Sequence, residues 1–195
     1  MKIRPELEFV LKESYSDKYN VMPVSCEILS DFITPIEAMR ILKNVSSHCY
    51  LLESAQQGEK WGRYTFLGYD PKMEITCVDG KLTASHMKID TKDPSSVLRN
   101  ILADYKSPRL DYLPSFTGGL VGYFSYDYLF YSEPTARRQT EDSEGFKDMD
   151  LMLFDKVIAF DHMKQKIILI ANVRLSDGET GYNKAVMELK QMQNL

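Results

Sequence analysis

The chain has 195 residues, 44% hydrophobic and 11% aromatic, with 24 basic against 28 acidic side chains and a net charge of −4. That is enough for one good-sized domain, or a domain with an appended subdomain, and it lacks both the basic stripe that nucleic acid selects and an apolar run near the roughly 18 residues of a membrane span. Three cysteines (Cys26, Cys49 and Cys77) are an odd number without CxxC spacing, which argues against a disulfide framework or a zinc site and for a reduced, cytoplasmic protein.

The N-terminal MKIRPELEFVLKE carries charge where a signal peptide needs an apolar core. Leu7, Val10 and Leu11 follow Pro5 at helical spacing and predict a short amphipathic helix over 5–15. VMPVSCEILSD (21–31) alternates as a strand, with Pro23 marking an edge or an entry. Thr34-Pro35-Ile36-Glu37 is a capping box with proline at the first helical position, and Ala38, Ile41, Leu42 and Val45 give the helix its apolar stripe. CYLLES (49–54) and RYTFLGY (63–69) are expected to be two strands joined by a polar loop that contains Gly58 and Gly62.

MEITCV (73–78), Asp79-Gly80 and KLTASHM (81–87) predict a hairpin about a two-residue turn. Asp93-Pro94 opens a second helix, with Leu98, Ile101, Leu102 and Tyr105 on one face. FTGGLVGYFSY (116–126) is aromatic and glycine-rich, fit for a buried strand, and 132–149 reads as a long charged loop. MLFDKVIAFDH (152–162) and KIILIANVRL (166–175) predict a strand pair about a turn near Met163 to Gln165. Ser176 or Asp177 then opens a last helix with Tyr182, Ala185, Val186, Leu189 and Met192 inward. That helix meets Asn194-Leu195 with no cap, so the natural chain is expected to continue. Antiparallel strands interrupted by isolated helices predict an α+β fold, mainly antiparallel sheets in a sandwich-like core with flanking helices, in a single domain over 1–195.

Catalytic signatures are missing from this pattern. His48, His86 and His162 are scattered, GxSxG and HExxH do not occur, and Gly118, Gly119 and Gly122 fit neither phosphate-cradling spacing. Those glycines are read as admitting a bulge or another backbone. Arg137-Arg138 is read as a solvated pair. No catalytic residue and no metal ligand is assigned.

LLESAQQGEKWGRYTFLGYD (51–70) is different, because an apolar strand ends in a carboxylate and a hydroxyl and the chain returns through an arginine. A zwitterionic amino acid needs an acceptor for its ammonium, a donor for its carboxylate and an apolar wall. Ser54, Glu53, Arg63 and the nearby leucines and aromatics could supply all three. On spacing alone the favoured reading of the same residues is a cross-strand Glu53–Arg63 ion pair with the Ser54 hydroxyl bonded to backbone.

With Leu51-Leu52-Glu53-Ser54, Gly62-Arg63-Tyr64-Thr65-Phe66-Leu67-Gly68, FTGGLVGYFSYDY (116–128) and DLMLFDKVIAFDHMKQKI (150–167) in that order, the chain resembles the N-terminal domain of anthranilate synthase component I. The resemblance implies an enzyme that makes anthranilate and pyruvate from chorismate and ammonia with Mg²⁺ in tryptophan biosynthesis, the ammonia coming from a glutamine amidotransferase, component II. It also implies L-tryptophan feedback at a site between this domain and a C-terminal chorismate-binding catalytic domain, which lies outside this chain. Carried across, Ser54 is the firmest tryptophan contact, Leu52 and Glu53 shape the site, and Arg63 stands near the ligand. The isolated domain is then expected to be inactive, needing no cofactor of its own, and to hold tryptophan weakly. Losing about 4 kcal/mol of contacts weakens binding roughly a thousandfold. Two alternatives are the N-terminal domain of aminodeoxychorismate synthase component I, in folate synthesis, and a stand-alone amino-acid-binding module.

Overall fold

The computed structural model describes residues 2–14, 18–54, 62–133, 135 and 144–195. Residues 55–61 of the polar loop, and 134 and 136–143 of the charged segment, Arg137-Arg138 included, lie outside the described residues. The chain is α+β as expected, with two antiparallel sheets and helices between strands. It divides into two compact units: 1–71, 104–119 and 154–195 form the first, 72–103 and 120–153 the second.

The first unit is built on a six-stranded sheet. Its strands are β1 (Ile3–Arg4), β2 (Val21–Leu29), β3 (Cys49–Glu53), β4 (Tyr64–Tyr69), β10 (Lys156–Asp161) and β11 (Lys166–Arg174), in the order β1-β2-β11-β10-β4-β3. β11 pairs with β2 along its whole length and with β10 on its other side. Being flanked on both edges and covered on both faces, it reads as the near-continuous apolar run KIILIANV instead of an alternating strand.

Three helices cover one face of this sheet: α1 (Leu7–Ser14), α2 (Pro35–Val45) and α5 (Gly178–Asn194). Val10, Leu42, Ala185 and Leu189 meet Met22, Val24, Leu67 and Leu169 there in one buried cluster. The capping box of α2 is formed: the Glu37 amide donates to Thr34 Oγ1 at 3.2 Å, and the Thr34 amide donates to Glu37 Oε2 at 3.1 Å. The far end of the predicted stripe is not buried, since Val45 in the last turn is 51% exposed. On the opposite sheet face Val157, Ala159, Ile168 and Ile170 pack against Tyr64, Phe66, Leu113 and Phe116.

The second unit holds a five-stranded sheet of β5 (Met73–Val78), β6 (Lys81–Ala84), β7 (Met87–Asp90), β8 (Gly119–Phe124) and β9 (Met149–Phe154), in the order β7-β6-β5-β9-β8. It also holds α3 (Pro94–Ala103) and the short α4 (Leu129–Ser132). Asp79 and Gly80 both take positive φ, 47° and 74°, which is the primed turn expected between β5 and β6. The Asp148 carboxylate, buried in this unit, accepts from the Asp79 amide at 2.7 Å and from the Tyr131 hydroxyl at 2.7 Å. The same hydroxyl accepts from the Gly80 amide at 2.6 Å, so the turn is tied to α4.

Four local expectations are corrected. KLTASHM is two strands: Ser85, at φ 51°, turns the chain so that Ala84 faces Met87. MLFDKVIAFDH is also two strands, because the chain breaks at Asp155 and β9 joins the second sheet while β10 joins the first. α3 stops at Ala103, short of Tyr105, and Leu102 is 42% exposed. The glycine-rich segment is an edge strand with Tyr123 and Phe124 exposed, where a buried strand was expected.

The reason for the glycine in β8 is close backbone approach. A Cβ on Gly122 would lie 2.0 Å from the Asp150 carbonyl oxygen and 2.8 Å from Leu151 Cα. Neither atom can swing aside as a side chain would. Gly122→Ala is expected to lower stability by about 2–3 kcal/mol, read as a shift in the urea midpoint of unfolding.

Candidate functional site

β3 is an edge strand whose one partner is β4, in the register Cys49↔Tyr69 to Glu53↔Thr65. Alternation sends Cys49, Leu51 and Glu53 to the helix-covered face and Tyr50 and Leu52 to the other, where Ser54 follows. Leu51 accordingly packs against the helix-side core. Burial then fades along the strand: Tyr50 is 9% exposed, Leu52 47%, and Glu53 and Ser54 are both exposed. Neither the Glu53 carboxylate nor the Ser54 hydroxyl has a partner among the described residues.

An aromatic layer stands behind Leu52. The Tyr50 ring lies edge-on to Phe154 at 4.7 Å and to Phe116 at 6.3 Å between centroids, and Phe66 lies edge-on to Phe116 at 5.5 Å. Gly68, opposite Tyr50 across the strand pair, makes room for that ring, since a Cβ there would come within 2.3 Å of it. The Tyr50 hydroxyl is buried with no hydrogen-bond partner among the described residues, and burial pushes the phenol far above its ordinary range. These rings form an apolar wall on the face that carries Leu52 and Ser54.

Arg63 does not pair with Glu53. Its Nε donates to Asp161 Oδ1 at 3.1 Å and its Nη2 to Asp161 Oδ2 at 2.7 Å, a bidentate fork on a carboxylate side chain only 1% exposed. Its guanidinium carbon also lies 4.8 Å from the centre of the Tyr64 ring. Burial alone would raise the Asp161 pKa, but the Arg63 hydrogen bonds, the Lys164 amide and the positive charges of Arg63 and Lys164 outweigh it and hold the carboxyl below its ordinary value. The Lys164 amide donates to Oδ1 at 3.1 Å. One residue on, Thr65 Oγ1 and His162 Nε2 are hydrogen-bonded at 2.7 Å, and the His162 amide donates to the Arg63 carbonyl at 2.9 Å.

The structure thus places Leu52 and Ser54 on one face beside an aromatic wall, Glu53 on the other, and Arg63 in a network with Asp161. Thr65, Asp161 and His162 were not singled out from sequence as functional. The available signal was the Asp161-His162 pair closing a strand just where the turn was expected. Among the described residues no three His, Cys, Asp or Glu side chains converge as a metal site requires, and no helix is long and apolar enough to cross a membrane.

Residues 47–193 match the family model described as chorismate binding enzyme. The chain belongs to this family. It is 34% identical over 177 residues to anthranilate synthase component 1 of Acetivibrio thermocellus, covering 88% of this chain and 35% of the relative. It is 37% identical over 187 residues to the Pseudomonas aeruginosa protein of the same name, covering 91% and 37%. Among solved structures it is similar to anthranilate synthase component I from Streptococcus pneumoniae TIGR4, with a TM-score of 0.55 and 30% identity over 85% of this chain and 36% of that one. The chain therefore spans about a third of the length of the relatives it matches.

For this member of the chorismate-binding family, the Arg63–Asp161 fork gives a direct stability test. Removing the guanidinium strands a buried carboxylate, which costs about 3–5 kcal/mol in a fully buried pair. Arg63 is 29% exposed, so Arg63→Ala is expected to cost about 2–3 kcal/mol at pH 7. Because the folded Asp161 value is depressed, its contribution is complete above the unfolded value of about 3.9 and is lost as pH falls through the folded one. Urea unfolding of parent and variant should therefore differ clearly at pH 7 and converge towards pH 3.

Proposed function

We propose that this chain is the regulatory portion of an anthranilate synthase component I and supplies one half of its L-tryptophan feedback site. On this reading Ser54 receives a polar group of the amino acid, Leu52 and the Tyr50–Phe66–Phe116 wall take part of its side chain, and Glu53 shapes the rim. Arg63 stands at the edge of the site with its charge already balanced by Asp161. The observation that carries the reading is the end of β3, at the edge of a well-packed sheet, where Leu52, Glu53 and Ser54 are exposed and the two polar side chains have no partner among the described residues. Similarity to component 1 proteins over most of this chain supports the same assignment.

Turnover of chorismate to anthranilate is assigned to the remaining two thirds of the relatives' length, together with Mg²⁺ and the ammonia delivered by a glutamine amidotransferase. The setting is cytoplasmic. Tryptophan held between this portion and a catalytic domain favours whichever arrangement completes its pocket. If that arrangement binds chorismate less well, chorismate weakens tryptophan by the same factor, as linkage requires.

The test is anthranilate fluorescence from the full-length enzyme supplied with chorismate, Mg²⁺ and ammonia, with and without L-tryptophan. Fluorescence that tryptophan suppresses is expected in the parent, and Ser54→Phe should relieve suppression while most of the turnover remains. A full-length enzyme that makes no anthranilate would move the chain to aminodeoxychorismate synthesis. Equal tryptophan sensitivity in Ser54→Phe and parent would remove Ser54 from the site.

A further inference from the structure

Leu52, Glu53 and Ser54 sit at the end of an edge strand. β3 lies at the sheet edge and, among the described residues, pairs with β4. Its last pair, Glu53↔Thr65, ties the strand end to the start of β4. The start of β4 is in turn fastened to the β10–β11 turn by four bonds from 161 and 162: both arms of the Arg63–Asp161 fork, the His162 amide on the Arg63 carbonyl, and Thr65 Oγ1 on His162 Nε2. The turn itself is closed by the Lys164 amide on Asp161 Oδ1 and by Gln165 at φ 52°.

Thr65 links the two halves of this fastening. It is 1% exposed, faces Glu53 across the strand pair, and spends its hydroxyl on His162. The guanidinium of Arg63 has two nitrogens committed to Asp161 and one face over the Tyr64 ring, so its geometry is that of a strut. A site that must discriminate one amino acid needs its polar groups held to within about half an ångström, and an edge strand gains that order from a neighbour that is itself fastened.

We infer that Asp161, with Thr65 and His162, forms a positioning latch that holds Leu52, Glu53 and Ser54 in register for ligand, so that loosening the latch weakens feedback by tryptophan without any of the three touching it. This rests on the tryptophan reading above. Asp161 is a positioning residue: its two carboxylate oxygens are consumed by Arg63 and the Lys164 amide.

The test uses the full-length enzyme and scores each variant's tryptophan inhibition against its own uninhibited rate. Asp161→Asn keeps the shape but offers the fork only one oxygen acceptor, and Thr65→Val removes the hydroxyl at constant size. Both are expected to need about tenfold more tryptophan for half inhibition. Leu189→Ala, which opens the helix-side core without removing any bond of the latch, is the control for general destabilisation and should leave the half-inhibiting concentration unchanged. Hydrogen exchange at the amides of 51–54 should speed up in Asp161→Asn and not in Leu189→Ala. Parent-like inhibition in Asp161→Asn, or an equal shift in Leu189→Ala, overturns the latch while leaving the feedback reading in place. If the parent makes anthranilate but ignores tryptophan, the feedback reading fails, and exchange decides the latch: unchanged protection at 51–54 overturns it, and faster exchange keeps it as the device that orders this strand end.

Discussion

The pairing of β10 with β11 is the constraint on which the first unit depends. β11 carries β2 on its outer side over nine residue pairs, and β10 carries β4, which carries β3. Every other strand of that sheet takes its register from this pair, directly or through one neighbour. Both sheet faces over the pair are dry: Ile167, Leu169 and Val173 enter the helix-side cluster, while Ile168 and Ile170 enter the other. A one-residue slip would exchange these two sets and misplace every side chain against both layers, so the register is strongly specified.

Two buried carboxylates serve as knots, one in each unit. Asp161 is satisfied by a guanidinium fork and a backbone amide, Asp148 by a backbone amide and a phenol. Burying an ionised group is costly unless its oxygens are met by donors, and here each carboxylate fastens a turn to a neighbouring element. Asp161 joins the β10–β11 turn to the start of β4, and Asp148 joins the β5–β6 turn to α4. The aromatic layer around Tyr50 contrasts with both, for among the described residues the Tyr50 hydroxyl is buried without a partner, and ring packing and the space left by Gly68 hold the layer.

Much of the fold was legible because local chemistry decided it. The Thr34–Glu37 box, the positive-φ Asp79-Gly80 turn and the apolar run of β11 are properties of a few adjacent residues, and each appears where its pattern predicts. The errors share a cause. The periodicity of MLFDKVIAFDH is continuous through Asp155, yet its two halves join different sheets. FTGGLVGYFSY has the composition of a buried strand, yet β8 has a partner on only one side. Partner choice and edge position are relations between distant segments, and no local pattern encodes them.

The candidate site divides in the same way. Residue types and their order alone determined that the LLES strand end and its returning arginine were unusual, that the class is α+β, and that the chain resembles a chorismate-using family. Tertiary structure decided the partner of Arg63, which is Asp161, 98 residues away in sequence, and not the nearby Glu53. It also decided that the face shared by Leu52 and Ser54 is the one backed by the aromatic layer, while that of Leu51 and Glu53 is the helix-covered one. The physical reason is that strand alternation is written in neighbouring residues, whereas an ion pair forms wherever folding brings a buried carboxylate within reach of a fork of donors.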